Sequence, residues 1–426
     1  MPKYIRGFSK LTKDEKINWL VKNFFNNQVN VVNTIKQYWN DNKTLQQLHD
    51  NFTENTISNF YMPYGIVPNF IINGNEYVIP MVVEESSVIA ASCLVAKFWS
   101  TRGGFKASVI STTKTGHIHF MYKGSKQVLL TYFKKQKPQI SKAASLITKN
   151  MERRGGGILD VQLVDKTEQL KNYYQLKVDF ETVDSMGANF INSCLELMAK
   201  QFKLKGVEIV MSILSNYVPE CLVRAEVECK ITSLKSKNPE KFAEKFQQAV
   251  KIAIIEPYRA VTHNKGIMNG IDAVALATGN DFRALEAGVH AYATKQGIYK
   301  GLTDCELNNG MFKFWIEIPL ALGTVGGLTA LHPMAKLSLD MLGKPSARQL
   351  MEIMATVGLA QNFAALKALV TQGIQQGHMK MHLMNILNRA DATEEQKKII
   401  AEQFENKTVS YSAVINELNQ IRKKPS

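Results

Sequence analysis

The chain has 426 residues, of which 45% are hydrophobic and 21% charged, so it can bury a large core in two or three domains and is not disordered. Its formal net charge of +15 is compatible with nucleic acid, an anionic membrane surface or small polyanionic ligands such as phosphorylated cofactors. The basic residues are scattered, and no basic stripe alternates with aromatic residues. This distribution argues against nucleic acid as the partner.

The five cysteines are odd in number, widely spaced and without a CxxC pair, which predicts neither a disulfide framework nor a zinc knot. A reducing cytoplasm fits this pattern. No stretch approaches the ~20 apolar residues of a membrane span, and the N-terminal residues lack the apolar core of a signal peptide. The sequence therefore predicts a soluble cytoplasmic protein with no membrane partner.

The first predicted element is a helix in LTKDEKINWLVKNFF, where Thr12 and Glu15 have the spacing of a capping box. The next segment is ENTISNFYMPYGIVPNFIING, in which Pro63, Gly65 and Pro68 exclude a long helix. We expect this segment to consist mainly of loops.

The stretch YVIPMVVEESSVIAASCLVAKF predicts a short buried strand at residues 78–83 that turns into a helix. The turn falls at Glu84 and Glu85, and Ser86 and Ser87 are the predicted N-caps of the helix. Two carboxylates therefore lie at a strand-to-helix junction.

Between about residues 106 and 222 the predicted order is strand, helix, strand, strand, helix, strand. This is the split βαβ order of ferredoxin-like sandwiches. Helical patterns dominate afterwards, and the polar helices of the C-terminal segment have their own cap in Thr393 with Gln396. The predicted fold is α/β (α+β): a large, mostly helical domain at 1–107 and 221–376, a small ferredoxin-like domain at 108–220, and a C-terminal helical lid at 377–426.

Lys265 lies in THNKGIMNG, beside glycines that indicate a bend or a close approach of the backbone. An ammonium in a cleft can stabilise a developing oxyanion, and a solvated loop lysine is the alternative. Asp281, in TGNDFRALEAG, has the position of a helix N-cap. Carboxylates occur there for structural reasons as well.

Glu84 and Glu85 are paired carboxylates at a strand end, where active sites of α/β proteins gather. A carboxylic acid that donates a proton at neutral pH needs a raised pKa, from burial or from a nearby like charge such as Asp281. Ordinary acidic residues at a helix start are the alternative.

His378 and His382 in QGHMKMHL are four residues apart, a spacing that can bind zinc. The glutamate of HExxH and a third ligand are missing, so no metal is predicted. A single histidine that donates a proton to a leaving group is the preferred interpretation.

Two glycine-containing segments, DSMGANFINSC and LGTVGGLTALHP, lead into predicted helices. Backbone N–H groups at such places can contact phosphate. Neither segment matches GxGxxG or GxxxxGK[ST], so neither a Rossmann nor a Walker site is predicted.

Six blocks of the chain together resemble the class II (soluble bacterial and archaeal) 3-hydroxy-3-methylglutaryl-coenzyme A reductases. They are ENTISNFYMPYGIVPNF, PMVVEESSVIAASCLVAKF, DSMGANFINSC, PYRAVTHNKGIMNGIDAVALATGNDFRALEAGVHAYA, GTVGGLTALHP and GLAQNFAALKALVTQGIQQGHMKMH. They follow the family order from about residue 54 to residue 382. The resemblance implies a homodimer, or an assembly of dimers, whose active sites use both subunits.

The resemblance also implies the functional residues. Glu85 aligns with the family acid rather than Glu84, because the family pattern places a serine, here Ser87, shortly after it. The implied catalytic residues are Glu85, Lys265, Asp281 and His378; the implied substrate contacts are Ser87, Arg259 and Asn269; the implied cofactor contacts are Asp184, Met186, Gly187, Ala188, Asn189 and Asn216.

Two positions depart from the family pattern. Ser58 stands where the family usually has a glycine, and Ser86 stands where a proline often precedes the substrate serine. Both positions lie beside the implied active site, so they can alter loop geometry without removing a reacting group.

The family reaction is a four-electron reduction of the thioester to mevalonate and free coenzyme A by two reduced nicotinamides. The resemblance implies that Lys265 holds the thioester oxygen and that His378 protonates the coenzyme A thiolate. Glu85 would then give its proton to the aldehyde, with Asp281 between Glu85 and Lys265. These residues are compatible with synthesis of mevalonate and with its breakdown.

The segment SLITKNMERRGGGILD bears on the choice of nicotinamide. Family members that prefer NADH have an aspartate before the triple glycine, and Thr148 occupies that position here. Cationic side chains meet a 2′-phosphate, whereas an acid meets a free ribose hydroxyl. With Lys149 and Arg153 as contacts, the sequence predicts NADPH, and NADH is the alternative.

A coenzyme-A-thioester-binding protein without redox activity, such as a lyase or a degenerate regulator, is the alternative function. Nucleic-acid binding is the third. Oxidation of NAD(P)H on addition of the thioester separates the first two, and binding at physiological salt tests the third.

Overall fold

The computed structural model describes residues 4–234, 236–371, 383–404 and 409–423. The chain divides into two compact units, Met1–Pro63 and Tyr64–Ser426. The first unit is built from a short 3-10 turn and helices: Phe8–Lys10, α1 (Lys13–Phe24), α2 (Val29–Gln37) and α3 (Lys43–Asp50). The predicted capping box of Thr12 and Glu15 is confirmed at the start of α1.

The second unit contains the sheets and most of the helices. Its strands are β1 (Tyr64–Ile72), β2 (Asn75–Val82), β3 (Lys106–Val109), β4 (Lys114–Tyr122), β5 (Gly157–Asp165), β6 (Tyr173–Glu181), β7 (Val207–Leu214), β8 (Leu222–Lys230), β9 (Thr303–Asn308) and β10 (Met311–Pro319). Its helices are α4 (Ser86–Ser100), α5 (Lys126–Lys142), α6 (Ser145–Glu152), α7 (Ala188–Gln201), α8 (Pro239–Ile255), α9 (Pro257–Ala277), α10 (Phe282–Tyr292), α11 (Leu328–Leu331), α12 (Pro333–Met341), α13 (Ala347–Val370), α14 (Glu394–Gln403) and α15 (Tyr411–Lys423).

The hairpin of β1 and β2 begins within the segment that we expected to consist mainly of loops. That expectation was wrong from Tyr64 onwards. Pro68 is tolerated within β1 because the pairing register shifts between Val67 and Phe70, so that the residue lies at a bulge.

The segment between β3 and β8 has the ferredoxin-like topology predicted from the sequence. Its antiparallel sheet has the order β5-β6-β4-β7, and α5 and α7 pack together beside it. Successive side chains of β4 point to opposite faces of the sheet. On the inner face, Ile118 and Phe120 enter a core shared with Leu176 of β6 and Leu195 of α7. This core is separate from that of the surrounding sheet β3-β8-β10-β9.

Helix α13 lies in the larger core and packs along α9. Its 24 residues and mean hydropathy of 1.4 are sufficient to cross a membrane, so the prediction that no stretch has such length and apolarity was wrong. However, 67% of its apolar window is buried inside the protein. The apolarity of α13 is therefore that of a core helix.

The C-terminal helices have a small core of their own, which includes Leu387, Ile400, Val414 and Leu418. The predicted capping box of Thr393 and Gln396 is confirmed at the start of α14. A separate core is what a self-contained helical segment requires.

Candidate active site

Lys265 lies in the middle of the 21-residue helix α9. Pro257 occupies the first position of this helix, and the Glu256 carboxylate accepts hydrogen bonds from the backbone N–H groups of Tyr258 (3.2 Å) and Arg259 (2.6 Å). The backbone continues without a break through Gly266, so the predicted bend beside Lys265 is wrong. The lysine is held by a regular helix.

The two glycines of α9, Gly266 and Gly270, differ in their surroundings. A Cβ atom on Gly270 would lie 2.6 Å from Gln361 Cγ and 2.9 Å from the Val357 carbonyl oxygen, both on α13. A Cβ on Gly266 would meet nothing within 4 Å. Gly270 therefore permits the close approach of the two helices, which the sequence signal had suggested for the neighbourhood of Lys265 itself.

Lys265, Asn269 and Asp272 recur at i, i+4 and i+7 and therefore share one face of α9. The Lys265 side chain is exposed and makes no hydrogen bond or ion pair within the described residues. Arg259 is half-buried one to two turns earlier, and this burial lowers the pKa of its guanidinium. This face of α9 thus presents a free ammonium beside the polar side chains of Asn269 and Asp272.

Asp281 is the N-cap of α10, as predicted. Its carboxylate accepts from the backbone N–H groups of Arg283 (3.1 Å) and Ala284 (3.3 Å) and pairs with the Arg283 guanidinium at 3.1 Å. In the described part of the chain no hydrogen bond joins Asp281 to Lys265 or Glu85. The cap fixes the carboxylate in place, which is compatible with its implied role.

Glu85 is the residue that immediately precedes α4, and α9 packs against the adjacent strand β2. The predicted N-caps Ser86 and Ser87 were wrong, because Glu85 occupies the cap position and the helix begins at Ser86. The Ser87 hydroxyl donates a hydrogen bond to Glu85 Oε1. An implied catalytic acid and an implied substrate contact are thus joined directly.

The two departures from the family pattern lie in different units. In the first unit, the Ser58 hydroxyl donates to the carbonyl oxygen of Ile35 at 2.6 Å. In the second, Ser86 is exposed at the first position of α4. Ser58 therefore has a structural hydrogen bond that a glycine could not make.

The segment between β6 and α7, residues 182–187, forms a strained turn that we call the β6–α7 loop. Gly187 has φ 88° and Val183 has φ 52°, a conformation that costs a β-branched residue energy. The loop precedes α7, whose N-cap Gly187 supplies no side-chain hydrogen bond. The first N–H groups of α7, at Ala188 and Asn189, therefore have no side-chain cap, as suits a helix terminus that binds an anion.

The β6–α7 loop is joined to the larger core by several backbone contacts. Asp184 accepts hydrogen bonds from Ala347 N through its carboxylate (2.7 Å) and from Thr324 N through its carbonyl (2.8 Å). Gly323 approaches the loop so closely that a Cβ there would lie 2.4 Å from Met186 N. The same Gly323 donates its N–H to Asn280 Oδ1 at 2.9 Å. Residue 323 therefore links the loop to the turn that carries Asp281.

Asn216 is exposed. It lies beside α10, because its carbonyl oxygen would be 2.6 Å from a Cβ atom on Gly288 of that helix. The structure thus brings the loop that follows β7 into contact with the helix that begins at Asp281. Lys149 and Arg153 are exposed at the end of α6, whereas Thr148 is buried. Of these three side chains, those of Lys149 and Arg153 are therefore accessible to a ligand, and that of Thr148 is not.

His378 and His382 lie outside the described residues. Two cavities, of about 260 and 350 Å³, are lined by residues such as Trp315 and Lys300 in the first and Tyr77 and Pro345 in the second. Glu85, Lys265 and Asp281 line neither of them. The Lys265 side chain is exposed, whereas Glu85 and Asp281 are half-buried.

Two buried titratable features escaped the sequence analysis. Lys114 is 4% exposed on the inner face of β4. The sequence pattern that could have revealed it is its spacing, because Lys114 lies an even number of residues from the apolar Ile118 and Phe120 and so shares their face of the strand. Asp272 is half-buried, and this burial, together with the nearby Glu286 carboxylate, raises the pKa of Asp272 to about 8. No spacing in the sequence links Asp272 to Glu286, because they lie on different helices.

Residues 14–383 match the family model of hydroxymethylglutaryl-coenzyme A reductase. Over 348 residues the chain is 39% identical to the 3-hydroxy-3-methylglutaryl-coenzyme A reductase of Archaeoglobus fulgidus, covering 81% of this chain and 78% of the relative. A probable enzyme of the same name from Borreliella burgdorferi is 36% identical, with 79% and 78% covered. The chain belongs to the hydroxymethylglutaryl-coenzyme A reductase family.

Solved structures agree with this assignment. The class II 3-hydroxy-3-methylglutaryl-CoA reductase from Streptococcus pneumoniae, bound to NADPH in open conformations, is 36% identical, with a TM-score of 0.73 over 88% of this chain and 92% of the other. A second structure of the S. pneumoniae enzyme is 33% identical with the same TM-score over 99% and 100%. The predicted fold class and family are confirmed, and the chain is an oxidoreductase that reduces 3-hydroxy-3-methylglutaryl-CoA.

Proposed function

We propose that Lys265, Glu85, Asp281 and His378 carry out the reduction of the thioester to mevalonate. The observation that supports this most strongly is the free ammonium of Lys265 on the regular helix α9, which packs against β2, the strand that precedes Glu85 in the chain. A fixed positive charge of this kind stabilises the oxyanion that forms when the first hydride reaches the thioester carbonyl. Because α9 does not need to reorganise, the stabilisation is available as the charge develops.

Glu85 is the proposed proton donor to the aldehyde in the second reduction. The Ser87 hydroxyl, which donates to Glu85, is the proposed contact to the substrate. Arg259 and Asn269 extend the substrate site along α9, where a guanidinium suits an anionic carboxylate. Substrate binding and proton donation would thus take place at adjacent residues.

His378 is the proposed donor of a proton to the departing coenzyme A thiolate. This role follows from the family motif alone, since His378 lies outside the described residues. A histidine suits the step because its ordinary pKa lies close to neutrality. Asp281, fixed as the cap of α10, would adjust the protonation of Glu85 and Lys265.

The β6–α7 loop and the start of α7 are the proposed binding site for the nicotinamide dinucleotide. The loop sequence supplies Asp184, Met186, Gly187, Ala188 and Asn189, and Asn216 stands beside α10. Uncapped N–H groups at a helix start can hold a pyrophosphate. The contacts of Gly323 and Asn280 would keep this site close to Asp281.

NADPH is the proposed cofactor, and it is also the cofactor bound by the S. pneumoniae enzyme. The exposed Lys149 and Arg153 can contact the 2′-phosphate that distinguishes NADPH from NADH. We expect kcat/KM to favour NADPH, and replacement of both residues by alanine to reduce that preference. A tenfold preference of the unaltered enzyme for NADH would contradict the proposal.

A cytoplasmic homodimer is the proposed assembly. On α9 the large apolar side chains Tyr258 and Val261 are 88% and 53% exposed, on the surface that also carries Arg259 and Lys265. Exposed apolar groups beside an open site are suited to a partner subunit that covers them. Mevalonate and free coenzyme A are the proposed products of the enclosed site.

The reaction is tested by following the absorbance of NADPH when 3-hydroxy-3-methylglutaryl-CoA is added. We expect two NADPH molecules to be oxidised for each mevalonate formed, with release of one free thiol. Thioester binding without oxidation of either nicotinamide would favour a non-redox lyase or regulator. The same assay with Glu85→Gln should show a severe loss of turnover at unchanged protein stability.

A further inference from the structure

Lys114 is a buried cation that no step of the reaction uses. It is 4% exposed on β4, and burial lowers the pKa of its ammonium. Charged side chains are rarely buried unless they are paired or hydrogen-bonded. The position of Lys114 therefore calls for a physical explanation.

The partners of Lys114 belong to the β6–α7 loop. Its Nζ donates hydrogen bonds to Thr182 Oγ1 at 2.5 Å and to the carbonyl oxygen of Ser185 at 3.0 Å. The Thr182 hydroxyl in turn donates to the same Ser185 carbonyl at 2.6 Å. The three groups form a closed triangle that ties the two ends of the turn together.

The triangle lies across the strained part of the loop. Val183, between Thr182 and Ser185, has φ 52°, and strained backbone persists only where the surroundings hold it. Gly187 follows with φ 88°, and a Cβ there would lie 2.5 Å from Thr182 Cγ2. The bonds from Lys114 thus oppose relaxation of the turn that leads into α7.

We infer that Lys114 is a positioning residue that holds the β6–α7 loop in the conformation required to bind the nicotinamide dinucleotide. The inference rests on the proposed function, which assigns the dinucleotide to this loop. Lys114 does not touch the cofactor; it acts through Thr182 and Ser185. The loss of a charge-assisted hydrogen bond should therefore weaken cofactor binding while the thioester site is preserved.

The substitution Lys114→Met tests the inference. Methionine fills much of the same volume, and the Ser185 carbonyl keeps the Thr182 hydroxyl as its donor, so no buried group is left without a partner. Replacement of a buried charge by an apolar side chain is often neutral for stability. We expect the KM for NADPH to rise about tenfold, with the KM for the thioester within about twofold of the original and an unchanged melting temperature.

Lys177→Met is the matched control. Lys177 lies on the neighbouring strand β6, pairs with Asp179 at 3.3 Å and has no hydrogen bond to the loop within the described residues. It should leave both KM values unchanged. Thr182→Val removes the same hydrogen bond from its other end, and its effect on the dissociation constant of NADPH should be non-additive with that of Lys114→Met.

The outcomes separate this inference from the proposed function. If the unaltered enzyme fails to oxidise NADPH on addition of the thioester, the proposed function fails. If it oxidises NADPH and Lys114→Met binds the cofactor as tightly as before, only the role of Lys114 is overturned. If Lys114→Met does not fold, Thr182→Val decides, because unchanged cofactor affinity in that variant also overturns the inference.

Discussion

Helix α9 and the β6–α7 loop both contain glycines near implied functional residues, but the glycines have different structural roles. In α9 the backbone is regular, and Gly270 allows α13 to approach. In the loop, Gly187 adopts φ 88° and is crowded by Thr182. The ammonium of Lys265 is therefore positioned by a regular, packed helix, whereas the proposed cofactor site is positioned by a strained turn that hydrogen bonds from Lys114 hold in place.

Helix α9 and the β6–α7 loop should therefore respond differently to substitutions. A helix packed in a core tolerates changes on its exposed face, because that face makes few contacts. A strained turn responds to any change that alters its local conformation. Chemistry and stability should separate in α9, whereas cofactor affinity and local conformation should change together in the loop.

Lys265→Ala should have the largest effect. We expect kcat to fall about a hundredfold or more, as when a preorganised donor to an oxyanion is lost. The melting temperature should stay the same, because the side chain is exposed. Lys251→Ala, at an exposed lysine of the preceding helix α8, is the control; turnover near the original level in Lys265→Ala would remove the lysine from the mechanism.

Gly187→Ala should raise the KM for NADPH about tenfold or more, because an L-residue is strained at φ 88° and its Cβ would meet Thr182. Gly206→Ala is a matched control with the same φ of 88°, where a Cβ makes only an ordinary contact with Tyr122. Both variants share the backbone strain. A similar rise of the cofactor KM in both would show that the effect is not specific to the loop.

Two substitutions in α9 should have opposite effects on stability. Gly270→Ala should lower the free energy of unfolding by about 1–3 kcal/mol, because its Cβ overlaps α13. Gly266→Ala should raise it by roughly 0.5–1 kcal/mol, because the site is open and alanine favours helix. Urea unfolding measures both; stabilisation by Gly270→Ala would contradict the packing role of that glycine.

The last prediction concerns pH. The pKa of Asp272 is raised from an ordinary 3.8 to about 8, so between these values the folded chain holds a proton that the unfolded chain releases. The stability contributed by this group therefore falls as pH rises from about 4 to about 8. Asp272→Asn should flatten that decline between pH 5 and pH 8, and parallel curves for the two proteins would show that Asp272 does not titrate there.

The sequence predicted the features that depend on local patterns. The ferredoxin-like order, the cap at Asp281 and the two capping boxes follow from alternation and from side chains near helix starts. The sequence-based predictions were wrong where contacts between distant segments determine the local conformation. The regularity of α9 at Gly266 depends on packing against α13, and β1 depends on a bulge that accommodates Pro68.

The candidate site was accessible mainly through family motifs. The glycines beside Lys265 suggested a bend rather than a helix, and the sequence does not show that Glu85 follows the strand packed against α9. Lys114 was missed because its partners Thr182 and Ser185 are 68 and 71 residues away along the chain. Only the fold brings these groups together.

The chain leaves and re-enters the larger sheet at neighbouring points. Val109 at the end of β3 is paired with Val223 near the start of β8, and Leu222 exchanges backbone hydrogen bonds with residues 110 and 111. A segment whose two ends lie side by side can be gained, lost or exchanged without disturbing the parent sheet. Such an arrangement suits an origin by insertion of one ancestral gene into another, and it makes this junction suitable for grafting a different domain.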